Sequence, residues 1–339
     1  MTMKYLKLGS SGLKVSQFCL GTWHMPRSSR TDEYGVRKVD TDELTRVIKT
    51  AFDSGLNFID TANRYHGAMA PVDIVHRGNS EEVLGDVLKG HERESFVIAT
   101  KVGSEMTPWE NGKGLSRKHI MWQIGESLKR LQMDHVDVYL MHAPDPETPH
   151  LETLKALDDL VRSGRVHYLG SSNHSQEEVA DFTQLASDHE LHELVTLQEG
   201  YSLLHREIEK TMVPTAKRYG LSIMAYSPLA EGMLSEKYLS GIPSQARASY
   251  SSKLRESITE DRLKVIIELS DFAKSKGASL PQLALAWILK KQATLDVTIV
   301  PIIGVSSTAQ LLENLGAAEV KLSDEEMAAV EEIASKMPG

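Results

Sequence analysis

Residues 42–62 read DELTRVIKTAFDSGLNFIDTA, and this stretch decides the fold. Leu44, Val47, Ile48 and Ala51 recur at the spacing that lines one face of a helix, and Gly55 follows as a stop. LNFIDTA (56–62) then reads as a short strand ending in polar residues. The same pairing recurs along the chain. Strands are expected at VSQFCLGTW (15–23), LNFIDTA (56–62), SFVIATKV (95–102), VDVYLMHA (136–143), VHYLGSSN (166–173), LVTLQEG (194–200), LSIMAYSPL (221–229) and VTIVPIIG (297–304). Helical patterns between them include SEEVLGDVLKG, RKHIMWQIGESLKRLQ, ETLKALDDLVRSG, SQEEVADFTQLAS and REIEKTMVPTAKRYG. Gly90, Gly164 and Gly220 fall where a helix ends in a positive φ that glycine adopts cheaply.

Strict alternation of strand and helix implies a parallel sheet covered by helices. A doubly wound dinucleotide fold would open with Gly-x-Gly-x-x-Gly after its first strand. Here that strand ends in Leu20-Gly21-Thr22-Trp23, and the fingerprint occurs nowhere. The expected fold is therefore α/β, a (β/α)8 TIM barrel formed as one domain over residues 1–339. KYLKLGSSGLKVS reads as an N-terminal β-hairpin turning at Ser10 to Gly12, placed to plug the N-terminal end of the barrel. Two segments, HGAMAPVDIVHRGN (66–79) and Ala230 to about Ile258, exceed the usual loop lengths. Long loops belong at the active-site end of such a barrel.

Composition narrows the setting. The chain of 339 residues is 41% hydrophobic and 25% charged, as in globular cores. No apolar run approaches the ~20 residues that span a bilayer, and Met1 to Gly12 lacks the apolar core of a secretion signal. Cys19 is the sole cysteine, so no internal disulfide forms and a cytoplasmic home is expected. A formal charge of −9 without a basic patch argues against nucleic acid, and nothing points to a membrane.

The polar residues at strand C-terminal ends are Asp60, Lys101, His142, Ser172, Asn173, Gln198 and Tyr226, with Tyr65 five residues beyond Asp60. A buried acid, amine and imidazole on neighbouring strand ends are costly without a joint purpose. An ordinary tyrosine has a pKa near ~10. A nearby ammonium is expected to lower it, with Asp60 keeping Lys101 charged, which suits proton donation to a developing alkoxide. His142 is placed to orient a carbonyl oxygen. No metal is required, and His189 and His192 read as solvated rather than zinc-bound. No Gly-x-Ser-x-Gly elbow or Cys-x-x-Cys occurs. An aldolase using Lys101 as a Schiff-base amine would leave Ser172, Asn173, Gln198 and Tyr226 without a role.

These residues resemble the aldo-keto reductase superfamily. The resemblance is carried by Phe58-Ile59-Asp60-Thr61-Ala62-x-x-Tyr65, Ala99-Thr100-Lys101, Leu140-Met141-His142 and Gly170-x-Ser172-Asn173. Gln198, Ala225-Tyr226-Ser227-Pro228-Leu229 and Gly304-x-Ser306 followed by Gln310-x-x-Glu313-Asn314 complete it, over residues 4 to 335. GMLSEKYLSGIPSQARAS and GVSSTAQLLENLGA resemble the potassium-channel β-subunit branch and its bacterial relatives. The resemblance implies a tetrad: Tyr65 as acid, Lys101 and Asp60 tuning it, His142 orienting substrate. It implies a nicotinamide cofactor across the barrel mouth, NADP(H) being expected and NAD(H) left open because Gln310 stands where many relatives place arginine. Ser172, Asn173 and Gln198 would hold the carboxamide, and Tyr226 would stack on the ring. Gly21, Thr22 and Trp23 would face the cofactor. Ser227, Pro228, Leu229, Ala230, Lys237 and Arg247 would cover the pyrophosphate, and Gly304, Ser306, Gln310, Glu313 and Asn314 would meet the adenosine. Phosphates at the start of the helix after Gly304 would find unpaired N–H groups.

The expected activity is reduction of small aldehydes or ketones, such as glyceraldehyde, methylglyoxal or sugar-derived carbonyls. The chain ends at Gly339 soon after its last helix, which favours a short substrate over a steroid. The alternative is a cofactor-binding regulatory subunit with little turnover. The complete tetrad weighs against it, because channel-type subunits tend to replace the histidine. The branch also suggests a homo-oligomer. The segment between Tyr65 and Ser80-Glu81 departs from the family's shorter spacing and either roofs the pocket or makes a surface excursion.

Overall fold

The computed structural model describes residues 2–68, 73–242, 247–249 and 251–338, without the side chains of Arg247 and Lys253. The chain opens with an antiparallel hairpin, β1 (Tyr5–Lys7) and β2 (Lys14–Ser16), then β3 (Cys19–Gly21). A second antiparallel pair, β4 (Arg27–Thr31) and β5 (Arg37–Val39), leads into α1 (Thr41–Asp53), β6 (Phe58–Asp60), α2 (Asn79–Leu88) and β7 (Val97–Val102). There follow α3 (Arg117–Leu131), β8 (Val136–Met141), α4 (His150–Arg162), β9 (Val166–Ser172), α5 (Gln176–Asp188), β10 (Leu194–Gly200), α6 (Met212–Tyr219) and β11 (Ser222–Tyr226). The chain closes with α7 (Ser252–Glu256), α8 (Glu260–Ser275), α9 (Leu280–Leu295), β12 (Ile299–Gly304), α10 (Thr308–Leu315) and α11 (Asp324–Ser335). Strands β3, β6, β7, β8, β9, β10, β11 and β12 pair in that order, all parallel, and β12 closes on β3 by pairing Ile302–Gly304 with Cys19–Gly21. The fold is a (β/α)8 barrel.

Local chemistry explains the elements. α1 starts at Asp40, whose carboxylate accepts the Glu43 N–H, and it buries Leu44, Val47, Ile48 and Ala51 on one face. α6 ends at Gly220, whose φ of +68° is the left-handed cap glycine allows. Within the barrel, side chains alternate between interior and helix layer. The interior cluster holds Phe58, Val97, Ala99, Val138, Leu140, Val195, Met224, Val300 and Ile302. Continuing the period of two from these puts Asp60, Lys101, His142 and Tyr226 on the interior side at the C-terminal end. Gln198 does not follow from Val195 by that period, because β10 is irregular between Leu194 and Thr196; it joins the group by pairing with the interior Met224.

The N-terminal hairpin forms as expected. Its Leu8 and Val15 are fully buried against Phe58, Val97, Val138 and Val195, so it plugs the N-terminal end of the barrel. Gly9 turns it at φ +59°, and a Cβ there would lie 2.0 Å from the Val195 carbonyl oxygen.

Two expectations change, and one pair of strands was not expected. The strand expected over 15–23 is two elements, because Lys14–Ser16 pairs with the hairpin and the barrel strand begins only at Cys19. The helix expected over REIEKTMVPTAKRYG divides into a 3-10 turn, Glu207–Glu209, and α6. Pro214 has no N–H for an earlier turn and is tolerated only near the helix start. The β4–β5 hairpin carries no apolar alternation, since RSSRT is largely exposed.

Candidate active site

The C-terminal ends of β6, β7 and β8 bring together Asp60, Lys101 and His142, and the turn after β6 adds Tyr65. The Lys101 ammonium, fully buried, donates to Asp60 Oδ2 at 2.8 Å, to the Thr61 carbonyl at 2.7 Å and to Tyr65 Oη at 3.2 Å. Each of its three protons thus has an acceptor. The Tyr65 ring meets Trp23 and His142 edge-on, with centroids 4.8 Å and 5.6 Å apart. The turn that carries it is pinned on both sides. Asn63 Nδ2 donates to Gln123 Oε1 at 3.0 Å, and the Ser80 N–H donates to the Tyr65 carbonyl at 3.0 Å.

Burial dominates the electrostatics. It pushes the Tyr65 hydroxyl above its ordinary value, with Lys101 pulling down and Asp60 pushing up. The lowering expected from Lys101 is present but does not win, so Tyr65 holds its proton. Burial alone would lower Lys101, but Asp60 and Tyr65 outweigh it and keep the ammonium charged. Asp60 is lifted by burial, opposed by Lys101 and by the Gln198 hydrogen bond. His142 is held well below the ordinary imidazole value by burial, then by Lys101 and Arg64, and is neutral near pH 7. Its buried Nδ1 has no partner among the described residues.

A second group adjoins the first. Gln198 Nε2 donates to Asp60 Oδ1 at 2.8 Å, and Ser172 Oγ donates to the Gln198 carbonyl at 2.8 Å. Asn173 Nδ2 reaches the His142 carbonyl at 3.0 Å and Ser172 Oγ at 2.9 Å, while Tyr226 Oη donates to Asn173 Oδ1 at 2.9 Å. Thr22 donates through both N and Oγ1 to the Asp60 carbonyl, each at 3.0 Å. Gly21 lies under Ile302, whose Cγ2 would be 2.5 Å from an added Cβ.

Strained backbone concentrates at this end. Asn173 has φ +61°, and after β11 Ser227, Ala230 and Glu231 have φ of +52°, +47° and +58°. Non-glycine residues hold such angles only where their surroundings over-determine them, and they gather where a ligand is held. Pro228 and Leu229 lie inside that run, and Lys237 Nζ lies 5.0 Å from the Tyr238 ring centroid, against Gly232. The Arg247 side chain lies outside the described residues.

The expectation of unpaired N–H groups at the start of the helix after Gly304 needs correction. Gly304 ends β12, and Gln310 Oε1 accepts from Ser306 N and Oγ, both at 2.8 Å. The Gln310 N–H goes to the Ser307 cap, and the Thr308 N–H goes to Glu43 Oε1 at 2.8 Å. The start of α10 is therefore not a row of unpaired donors, because a carboxylate from α1 already takes one. Glu313 is exposed and Asn314 buried on α10.

The 66–79 segment is described only at its flanks. Residues 69–72 lie outside the described residues. His66 and Asn79 meet through Asn79 Nδ2 and the His66 carbonyl at 2.6 Å, and His76 Nε2 bonds Asp32 Oδ2 of the β4–β5 turn at 2.7 Å. Between that turn and the segment lies a cavity of about 590 Å³ lined by Asp32, Tyr34, Lys38, Val75 and His76. His192 bonds Asp158 at 2.6 Å, and His189 is exposed. Among the described residues a different group, His135, Asp137 and His167, has the spacing of metal ligands, at the N-terminal ends of β8 and β9; Arg93 already pairs with Asp137 at 2.8 Å.

Sequence reasoning missed Arg64, Glu199, Gly200 and Glu43. Gly200 is legible only in three dimensions: an added Cβ would meet Cε2, Cζ and Oη of Tyr226 at 3.2 Å, so the ring lies directly over it. Glu199 faces away from Gln198 on β10, is buried, and accepts the Asn173 N–H while its Oε1 has no partner among the described residues.

The family model of the Aldo/keto reductase family matches residues 17–335. The chain belongs to that family of oxidoreductases. It is 35% identical to a putative voltage-gated potassium channel subunit beta of Schizosaccharomyces pombe, over 98% of this chain and 93% of that one. It is 33% identical to an L-glyceraldehyde 3-phosphate reductase of Escherichia coli, over 97% and 92%. An uncharacterized oxidoreductase of Bacillus subtilis is 36% identical, over 95% and 93%. Among the described residues no helix is long and apolar enough to cross a membrane.

Proposed function

We propose that this chain acts as one barrel domain that reduces small aldehydes or ketones with NADP(H), in the cytoplasm, with Tyr65 as the proton donor. The observation that carries the reading is the Lys101 ammonium shared between Asp60 and Tyr65 beside a neutral His142. The cofactor, when bound, supplies the hydride to the carbonyl carbon. Tyr65 gives its hydroxyl proton to the carbonyl oxygen, and Lys101 stabilises the phenolate left behind. His142 holds the carbonyl oxygen toward Tyr65 by a hydrogen bond. Trp23 and the Tyr65 ring exclude water on one side.

The residues fit a nicotinamide group. Asn173, Ser172 and Gln198 present amide and hydroxyl groups at one strand end, and the Tyr226 ring lies over Gly200, which offers it no side chain. Ser227 to Ala230 form a strained turn beside them, suited to a pyrophosphate, with Lys237 and Arg247 following in the chain. Gln310, Glu313 and Asn314, with Gly304 and Ser306, stand at the adenosine end. NADP(H) is the cofactor of choice; Glu43 and Gln310 give the 2′-phosphate no cation there, which keeps NAD(H) in view.

Glyceraldehyde and its phosphate are the first substrates to assay, given the Escherichia coli relative's name. NADPH and NADH oxidation measured against small aldehydes and ketones tests the reading: turnover lost in Tyr65→Phe supports it. Tight NADPH binding without turnover across the panel would favour a regulatory subunit, the reading that the Schizosaccharomyces pombe relative's name suggests.

A further inference from the structure

We infer that the site takes carbonyl compounds bearing a negatively charged group, phosphate or carboxylate, and that Arg64 holds that group. The inference deepens the reductase reading and rests on it. Arg64 is exposed between two buried neighbours, Asn63 and Tyr65. The turn that displays it is rigid, since Asn63 is tied inward to Gln123 and the Tyr65 N–H returns to the Ala62 carbonyl at 3.1 Å. The guanidinium therefore stands on a fixed shoulder one residue from the proposed acid. Its charge reaches both Tyr65 and His142, lowering each.

Arg64 has no ion pair or hydrogen bond among the described residues. Other arginines of this barrel are committed: Arg77 to Glu105, Arg93 to Asp137 and Arg130 to Glu81. Among the described residues, the rings that meet Tyr65 are uncharged, namely Trp23 and the neutral His142. The buried Lys101 and Asp60 compensate each other. A substrate whose carbonyl reaches Tyr65 and His142 thus meets the Arg64 cation at the rim, uncompensated among the described residues. Guanidinium forms paired, charge-assisted hydrogen bonds with phosphate and carboxylate, which an ammonium reproduces only in part.

The test compares kcat/KM for two matched pairs, glyceraldehyde 3-phosphate against glyceraldehyde and succinic semialdehyde against butanal, in the native protein, Arg64→Gln and Arg64→Lys. The native protein should prefer the charged member of at least one pair, and which pair identifies phosphate or carboxylate. The charged-to-neutral ratio should fall about tenfold or more in Arg64→Gln, recover partly in Arg64→Lys, and shrink with added salt. A ratio indifferent to Arg64, or no native preference in either pair, overturns the inference. If the native protein reduces none of the four, the reductase reading fails, and Arg64 is judged separately by calorimetry of inorganic phosphate and malonate with NADPH-loaded protein. Binding of either ion that Arg64→Gln weakens upholds an anion site; binding of neither, or binding that ignores the change, removes it.

Discussion

The Lys101 ammonium lies 3.2 Å from Tyr65 Oη and 4.7 Å from the centroid of the same ring, so one buried cation faces both the hydroxyl and the π-face. The phenol remains protonated because burial outweighs that cation. Once the proton leaves, the balance reverses, since a phenolate gains far more from the ammonium than the phenol does. The contact therefore acts mainly on the product of proton transfer.

Replacing Lys101 by Met leaves Asp60 buried without its partner. Loss of one member of a buried pair destabilises by about 3–5 kcal/mol, so the urea midpoint should fall markedly. Adding Asp60→Asn to Lys101→Met should recover part of that stability but none of the activity. A double-mutant cycle on unfolding and on turnover measures both.

Glu199 sets a pH dependence. Burial lifts its carboxyl to about 7, with the Asn173 N–H opposing. The folded state therefore keeps a proton that the unfolded chain, titrating near ~4.3, has released. Its contribution is fully present below the unfolded value and is lost as pH rises through about 7. The loss reaches at most roughly 4 kcal/mol. The Glu199 charge also reaches Tyr226, whose hydroxyl is raised by burial, then by Glu199, Tyr65 and Glu231. Urea unfolding at pH 5 and pH 8 should show a decline in the native protein that flattens in Glu199→Gln.

Gly200→Ala should weaken the cofactor site while sparing the fold. The new methyl would press on the Tyr226 ring at 3.2 Å, forcing it to shift by a few tenths of an ångström. NADPH titration followed by protein fluorescence should give a several-fold higher Kd, and Gly200→Val a larger one.

Gln310→Arg should raise the preference for NADPH over NADH by about tenfold, the effect of one added charge-assisted hydrogen bond. The position lies at the start of α10 near the Glu43 carboxylate, whose Oε2 already takes the Arg46 guanidinium at 2.7 Å, so an arginine at 310 would add a cation that Glu43 has not claimed. The ratio of kcat/KM for the two cofactors reads it directly.

The barrel was legible because β-branched runs and one-sided helices alternate in strict order, and the period of two carries Asp60, Lys101, His142 and Tyr226 to the same side, whereas Gln198 reaches it only through the irregularity in β10 between Leu194 and Thr196. What the sequence hid depended on contacts between distant segments. RSSRT has no apolar period, so β4 is visible only through its pairing with β5. α9 is buried on most sides, including Leu283, Ala284, Leu285, Ala286, Trp287 and Ile288, and so lacks a clean stripe. The Glu43 carboxylate at Thr308 joins residues at opposite ends of the chain, and no local pattern announces it. Tyr65 shifts up rather than down because burial outweighs Lys101, and spacing shows which charges are near but not how completely water is excluded.

The most direct test is a single-turnover comparison of NADPH-loaded native protein and Tyr65→Phe mixed with glyceraldehyde, with NADPH affinity measured in parallel. The proposed mechanism predicts equal affinity and a rate of hydride transfer lower by about 10²–10⁴ in the variant. Equal rates in the two proteins would remove Tyr65 as the acid and contradict the mechanism.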